Sequence, residues 1–128
     1  MSRTNDHKAV IMEQLAPLCP SLFYQFSPDS AGFPRAVFEL RQLQVQGYPY
    51  EKHILTLHLY DKHADEALQD TADAVTAVMD GKILETDSFY YQFFYNQDRQ
   101  SVPEQEKSLR HIMLTFEIRI YRRSEYYA

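Results

Sequence analysis

The segment SFYYQFFYNQ, residues 88–97, places six aromatic residues within seven positions. Successive side chains of a strand point to opposite faces, so a strand here carries aromatic side chains on both of its faces. The first alternating set is Phe89, Tyr91, Phe93 and Tyr95, and the second is Tyr90, Gln92 and Phe94. Because the second set has a polar residue at its centre, we predict that the first set lies in the core and that the second faces a partner.

The length of the chain limits the number of domains. Its 128 residues fit one domain, 1–128. The contents of 45% hydrophobic and 24% charged residues argue against global disorder. The single cysteine, Cys19, excludes an intrachain disulfide and is typical of a reducing compartment. With no apolar stretch of signal-peptide or membrane-span length, we expect an intracellular, soluble protein without a membrane partner.

The charge balance indicates which partners to expect. The net charge is −5 and the sequence pI is near 5.5, whereas nucleic-acid binding depends on Lys and Arg side chains that neutralise phosphates. The basic residues Arg119, Arg122 and Arg123 are interpreted as a solubilising end of a strand. We therefore predict no sequence-specific nucleic-acid partner.

Apolar spacing predicts two helices and four strands. The helices are expected at 6–16 and 64–80, and the strands at 36–43, 53–60, 89–95 and 110–121. Gly81 is expected to end the second helix, and segment 21–35 is predicted to be irregular. The order α-β-β-α-β-β predicts an α/β (α+β) fold, with a four-stranded mixed sheet and both helices packed on one face.

The sequence NQDRQSVPEQEKS, residues 96–108, has Val102 as its single hydrophobic residue. Connections of this length inside compact domains tend to be functional or disordered. We therefore predict a long mobile loop that contacts a partner on assembly, with Arg99 and Glu104 as candidate contacts. The chain ends, 1–5 and 123–128, are expected to be flexible.

Catalytic and metal-binding patterns are weak in this sequence. His58 and His111 are expected to be cross-strand neighbours, and the run Asp61–Asp65 superficially resembles a metal loop. Zinc sites need three or four converging ligands, usually at a recognisable spacing, and no such spacing is evident. Cys19 has no evident histidine partner and is interpreted as structural. We therefore predict no metal, no cofactor, no catalytic residue and no enzymatic activity.

The second face of the predicted sheet is the main candidate for a binding site. If both helices cover one face, the other presents an apolar patch larger than a monomer usually exposes, which indicates a partner surface. The alternative is that segment 21–35 folds over this face. The candidate contacts on the sheet are Tyr60, Tyr90, Gln92, Phe94, Met113 and Tyr121.

Four segments together resemble a known family. They are FPRAVFEL (33–40), HILTLHLYDK (53–62), DTADAVTAVMDG (70–81) and RHIMLTFEIRIYR (110–122). Over about residues 8–122 the chain resembles the tail-terminator and tail-completion (minor tail) proteins of long-tailed bacteriophages and prophages. The resemblance implies a homo-oligomeric ring, typically hexameric, that caps the tail tube, stops its polymerisation and joins it to the head connector. The implied partners are further copies of the chain, the tail tube protein and the head–tail connector protein, first in the host cytoplasm and then in the virion tail.

Two alternatives remain open at this point. The basic lining that such rings present towards DNA is sparse in this sequence, so a neck, head-completion or minor capsid role is one alternative. The other is a small-ligand-binding or enzymatic α+β domain with an aromatic pocket. A deep pocket with converging polar groups would favour this second alternative.

Overall fold

The computed structural model describes residues 3–19, 21–25, 27, 32–43, 50–62, 65–106 and 108–123. Within them the chain forms two helices and six strands. In chain order these are α1 (Arg3–Leu15), β1 (Leu22–Tyr24), β2 (Arg35–Leu43), β3 (Glu51–Lys62), α2 (Asp65–Met79), β4 (Ile83–Glu85), β5 (Phe89–Ser101) and β6 (Leu109–Arg122). In this described part of the chain, neither helix combines the length and the apolar character needed to cross a membrane.

The strands form one mixed sheet in the order β1-β2-β3-β6-β5-β4. Strand β1 runs parallel to β2, and all other neighbouring strands are antiparallel. The predicted four-stranded sheet is therefore wrong: the described sheet has six strands, and the fold is α+β with a large share of strand. The four predicted strands are its long members, and a three-residue strand is added beside each outer one.

The two added strands were missed because they are too short to show periodicity. A three-residue strand has no alternation that distinguishes it from an irregular segment. Strand β1 falls in the segment predicted to be irregular and pairs with Ala36–Phe38 of β2. Strand β4 follows the turn after α2 and pairs with Tyr90–Gln92 of β5. Both are defined by backbone pairing to a longer strand.

Strand β5 is longer than predicted and takes up the first half of the expected loop. Residues 96–101 belong to the strand, so the connection to β6 begins at Val102. The pairing with β6 shifts register between Tyr95 and Asp98, and Gln97 has a φ of 59°. Beyond the shift, the polar residues pair with Ile112–Thr115 of β6. Pairing to a core strand thus overrides the polar composition of this segment.

Both helices pack on one face of the sheet and enclose a single core. Helix α1 contributes Ile11 and Leu15 to it. The α2 and strand residues of the core include Leu68, Ala72, Val75, Met79, Leu55, Leu57, Leu59, Phe93, Ile112, Leu114, Phe116, Ile118 and Ile120. Full burial of each large apolar side chain contributes roughly 1.5–3 kcal/mol. The apolar alternation of β3 and β6 therefore accounts for which sheet face the helices cover.

The aromatic strand divides between the two faces as predicted. Phe89, Tyr91 and Phe93 are buried on the helix side. Tyr95 packs against the same core but is only partly buried. The second set, which begins with Tyr90, lies on the opposite face and is partly exposed. The assignment of these faces is confirmed.

The end of α2 is attached to β5 by backbone contacts. Gly81 follows the helix with a φ of 76°, and its N–H donates to the carbonyl of Phe93 at 2.9 Å. The backbone N–H of Tyr95 donates to the Asp80 carboxylate at 3.0 Å. A positive φ favours glycine at this position, and the prediction that Gly81 ends the helix is therefore confirmed. These bonds fix the aromatic strand relative to the helix layer.

Candidate functional site

The candidate site is the sheet face opposite the helices, hereafter the outer face. Cross-strand register places side chains of β2, β3, β6 and β5 on it in continuous rows. The six sheet residues predicted as contacts all lie on this face, and all are partly exposed: Tyr60, Tyr90, Gln92, Phe94, Met113 and Tyr121. The structure thus brings together residues from three strands. Their role as an interface remains a prediction.

One part of the outer face is an aromatic–arginine cluster of Tyr50, Phe94, Arg119 and Tyr121. The Arg119 guanidinium lies 4.7 Å from the ring centroid of Phe94 and 5.1 Å from that of Tyr50. The rings of Tyr50 and Tyr121 are 5.3 Å apart. A guanidinium at these distances is attracted to the electron-rich ring faces. The cluster therefore presents flat aromatic surface around a fixed positive charge.

The guanidinium of Arg119 is held in place by Glu117 on the same strand. Arg119 Nε donates to Glu117 Oε2 at 2.6 Å, and Lys52 Nζ lies 3.3 Å from Glu117 Oε1. Burial opposes ionisation of Glu117, but the hydrogen bonds from Arg119 and Lys52 outweigh it and lower the pKa of this carboxyl. Arginine, tyrosine and tryptophan dominate the binding energy of protein interfaces. An ordered arginine among aromatic rings is a typical anchor of such an interface.

The sequence interpretation of Arg119 as part of a solubilising strand end missed its contacts with Tyr50, Phe94 and Glu117. The sequence signal for these contacts was its position in the strand: Arg119 shares the outer face of β6 with Glu117 and Tyr121. Arg122, by contrast, is exposed and lies on the opposite face of β6. Arg123 lies 5.2 Å from the ring centroid of Tyr90 and 3.0 Å from Glu85.

The outer face continues to the β4 edge of the sheet. Ile83 pairs with Gln92 across the β4–β5 ladder and is 67% exposed. Val78, near the end of α2, is 44% exposed, and these two are the large hydrophobic side chains most exposed in the described part of the chain. A three-residue edge strand offers little backbone for pairing, so the exposed Ile83 side chain is the candidate contact at this edge.

A second part of the outer face is a histidine cluster of Glu39, His58, Tyr60, Glu104 and His111. His58 Nδ1 and His111 Nε2 are hydrogen-bonded at 2.8 Å, which confirms that the two histidines are cross-strand neighbours. His111 Nδ1 lies 2.7 Å from Glu104 Oε1, and His58 Nε2 lies 3.7 Å from Glu39 Oε1. The Tyr60 ring stacks on His111 with centroids 4.3 Å apart. The cluster connects strands β2, β3 and β6, and also the segment between β5 and β6, through charged and aromatic contacts.

Burial and charge determine the protonation of this cluster. Burial lowers the pKa of His58, and the nearby His111 lowers it further, while Glu39 and Glu104 act in the opposite direction. Burial also raises the pKa of Tyr60. A cavity of about 380 Å³ opens beside these side chains, and its lining includes Gln25, Ser27, Arg35, His58, Tyr60 and Glu104. This cavity is the polar recess of the outer face.

The two predicted loop contacts lie in different places. Arg99 falls on the helix side of β5, where its guanidinium donates to Asp73 of α2 at 2.8 Å and to Gln69 at 3.3 Å. The register shift after Tyr95 amounts to two residues, so it leaves the faces unchanged, and Arg99 pairs with Leu114 on the same side as Phe93. Glu104 instead joins the outer face through His111. A partner role for either residue remains a prediction.

The described part of segment 21–35 lies partly in strand β1 at the edge of the sheet and partly beside the outer face, where Gln25 and Ser27 line the polar recess. Leu22 and Tyr24 pack against the core on the helix side, with the rings of Tyr24 and Phe38 5.1 Å apart. Phe33 lies 4.3 Å from the Arg35 guanidinium, beside the polar recess. Phe26 lies outside the described residues, as does His63 of the run Asp61–Asp65 that superficially resembles a metal loop. Of the described residues, 22–24 extend the sheet, and Gln25 and Ser27 border the polar recess of the outer face.

Comparisons with known proteins add a similarity to solved structures. No protein-family model matches this chain, and a search of curated proteins finds no match. Among solved structures, the fold is similar to that of a chain in the virion of a native gene transfer agent particle. The TM-score is 0.61 at 14% sequence identity, and the match covers 88% of this chain and 84% of that chain. At this identity the similarity concerns the fold.

Proposed function

We propose that the chain is a structural protein of a phage-like particle and that it assembles through its outer face, without a catalytic role. The observation that carries the proposal is the aromatic–arginine cluster on a partly exposed sheet face, continuous with the exposed Ile83 at the edge. Such a surface has the composition of an interface core. The fold similarity to a chain of a gene transfer agent virion supports the same class of role.

Within that class, we propose a tail terminator that forms a ring at the end of the tail tube. A ring requires two different surfaces on each copy, related by a rotation that closes. The outer face, with Ile83 at its β4 edge, supplies one of these surfaces, and the second lies elsewhere on the same subunit. The proposed partners are neighbouring copies in a ring of about six, the tail tube protein and the head–tail connector.

The test of the ring is reconstitution with tail tubes. Electron microscopy and native mass measurement of the mixture should show one ring of copies at a tube end, with tubes of uniform length. An Arg119→Ala variant should assemble poorly, whereas Arg122→Ala, an exposed residue of the same strand outside the cluster, should assemble normally. Single copies scattered along the tubes would contradict the terminator role. Binding to isolated connectors but not to tubes would favour the neck alternative.

The polar recess supports the binding of a small ligand as a second candidate function. Arg35, His58 and Tyr60 converge there, and converging polar groups around a cavity are typical of ligand sites. A thermal-shift screen with small anionic and aromatic compounds tests this role. Stabilisation of the wild type that disappears in His58→Ala but persists in Arg119→Ala would favour ligand binding over assembly as the use of the outer face.

A further inference from the structure

A second histidine cluster lies on the core side of the sheet, beneath α1. His7 of α1 meets Glu51 and His53 of β3, and one ligand atom from each of the three lies within 4.8 Å of the others. His7 Nε2 and Glu51 Oε2 are 4.0 Å apart. His7 and His53 are 1% and 2% exposed, while the Glu51 side chain is 22% exposed. The cluster is therefore buried, with its carboxylate on the side that opens to solvent.

The imidazole of His53 is the unusual member of this cluster. Both of its ring nitrogens are buried, and neither has a hydrogen-bond partner among the residues that the structure describes. Its ring packs edge-to-face against the ring of His7, with the two ring centroids 5.5 Å apart. Buried polar atoms in native proteins nearly always have a partner, and an exception is often explained by a water molecule or an ion. A metal ion bound between these side chains would give His53 such a partner.

The other two members are positioned by hydrogen bonds of the kind that support metal ligands. His7 Nδ1 lies 2.8 Å from the Tyr91 hydroxyl, and when Nδ1–H donates to that oxygen, Nε2 carries the lone pair. Gln42 Nε2 donates to Glu51 Oε1 at 2.9 Å, while Oε2 is turned towards His7. Such outer hydrogen bonds fix the tautomer and orientation of metal ligands.

We propose that His7, Glu51 and His53 bind a divalent transition metal such as Zn²⁺, which ties α1 to the sheet. Two histidines and one glutamate are a known zinc ligand set that leaves a fourth position for water. Bonds of roughly 2.0–2.1 Å place tetrahedral ligands about 3.4 Å apart, so the side chains need to close in by about an ångström. The pattern was not visible in sequence because the helix ligand and the two strand ligands are far apart along the chain.

Zinc titration of the isolated chain tests the proposal independently of any role in assembly. Calorimetry should detect one Zn²⁺ per chain, and Zn²⁺ should raise the melting temperature, because a ligand that binds only the folded state stabilises it. Co²⁺ should give the visible absorption of a four-coordinate nitrogen–oxygen site. His53→Phe should abolish binding, and Glu51→Gln, which keeps an acceptor for Gln42, should weaken it at least about tenfold. Tyr91→Phe should weaken it by roughly 10–100-fold.

The outer-face histidines supply the matched control. His58→Ala removes a different histidine pair and should leave the zinc affinity unchanged. Loss of binding in His58→Ala with full binding in His53→Phe would overturn the proposal, because the metal would then lie on the outer face. Absence of zinc binding by the wild type would overturn it as well. Circular dichroism of Glu51→Gln separates loss of the ligand from loss of the fold, since this side chain is not fully buried.

Discussion

His58 of β3 and His111 of β6 are diagonal neighbours on the central strand pair, with 2.8 Å between Nδ1 of the first and Nε2 of the second. This bond needs one nitrogen to carry a proton and the other to accept it. Protonation of both rings would place two donors and two positive charges in contact. The pair therefore makes the outer face sensitive to pH.

We predict that stability falls on mild acidification. The pKa of His58 is lowered in the folded state, whereas an unfolded histidine titrates near 6.5. Between the folded and unfolded values the unfolded chain binds more protons, so this contribution is fully present above about pH 6.5 and is lost as the pH falls through the folded pKa. Urea unfolding across this window should give a steeper pH dependence for the wild type than for His58→Gln. Equal slopes would contradict the assignment.

Glu104 is predicted to hold the connection between β5 and β6 against the outer face. Its carboxylate lies 2.7 Å from His111 Nδ1, and the backbone N–H of Val102 donates to the His111 carbonyl at 2.8 Å. In Glu104→Ala, amide hydrogen exchange should accelerate in residues 102–106. The control is Glu106→Ala, which removes an exposed carboxylate that pairs with Lys62 and accepts a hydrogen bond from Ser108. Exposed ion pairs contribute roughly 0.2–1 kcal/mol to stability, so amide hydrogen exchange should change little in Glu106→Ala. The same acceleration in both variants would contradict the role of Glu104.

Phe93 and Phe94 are neighbours in sequence on opposite faces of β5. Phe93 is fully buried, so Phe93→Ala should lower the free energy of unfolding by about 3–5 kcal/mol. Phe94 is partly exposed and contacts Arg119, so Phe94→Ala should cost the fold less. Its effect should appear in assembly, where a buried aromatic anchor contributes about 2 kcal/mol or more. Chemical denaturation and an assembly assay on both variants separate the two effects, and a reversed order would contradict the face assignment.

Gly81 lies in the turn that ends α2, and Gly32 serves as its control. A Cβ at either position meets no atom within 4 Å, but Gly81 alone of the two has a positive φ, of 76°. Gly81→Ala should therefore destabilise the protein by about 1 kcal/mol through backbone strain. Gly32→Ala should be neutral or stabilising by up to about 1 kcal/mol, because it restricts the unfolded chain. Thermal melts of the two variants test this difference, and equal effects would contradict it.

Sequence periodicity was sufficient where one face of an element is buried and the element is long. The bounds of α2 and the two faces of β5 follow from alternation of apolar residues alone, because burial of one face imposes that pattern. The neighbourhood of His58 and His111 follows from the pairing of the two most regular strands. These features depend on local sequence and on a single choice of strand partner.

The remaining features depend on contacts between distant segments. The polar end of β5 is a strand because β6 offers a pairing partner and because Arg99 reaches Asp73 of α2. The cluster of His7, Glu51 and His53 requires a helix to lie at one particular position on the sheet. No periodicity encodes that position, so neither feature could be predicted from spacing.

Cysteine labelling tests the use of the outer face most directly. The native Cys19 is 2% exposed and its pKa is raised to about 12 by burial, so it should not react with maleimides. Thr115→Cys places a thiol at the centre of the outer face, and Ala77→Cys places one on the exposed side of α2. We predict that assembly into the particle protects the cysteine at position 115 from labelling while the cysteine at position 77 stays reactive. Equal labelling at position 115 before and after assembly, with protection at position 77, would contradict the account.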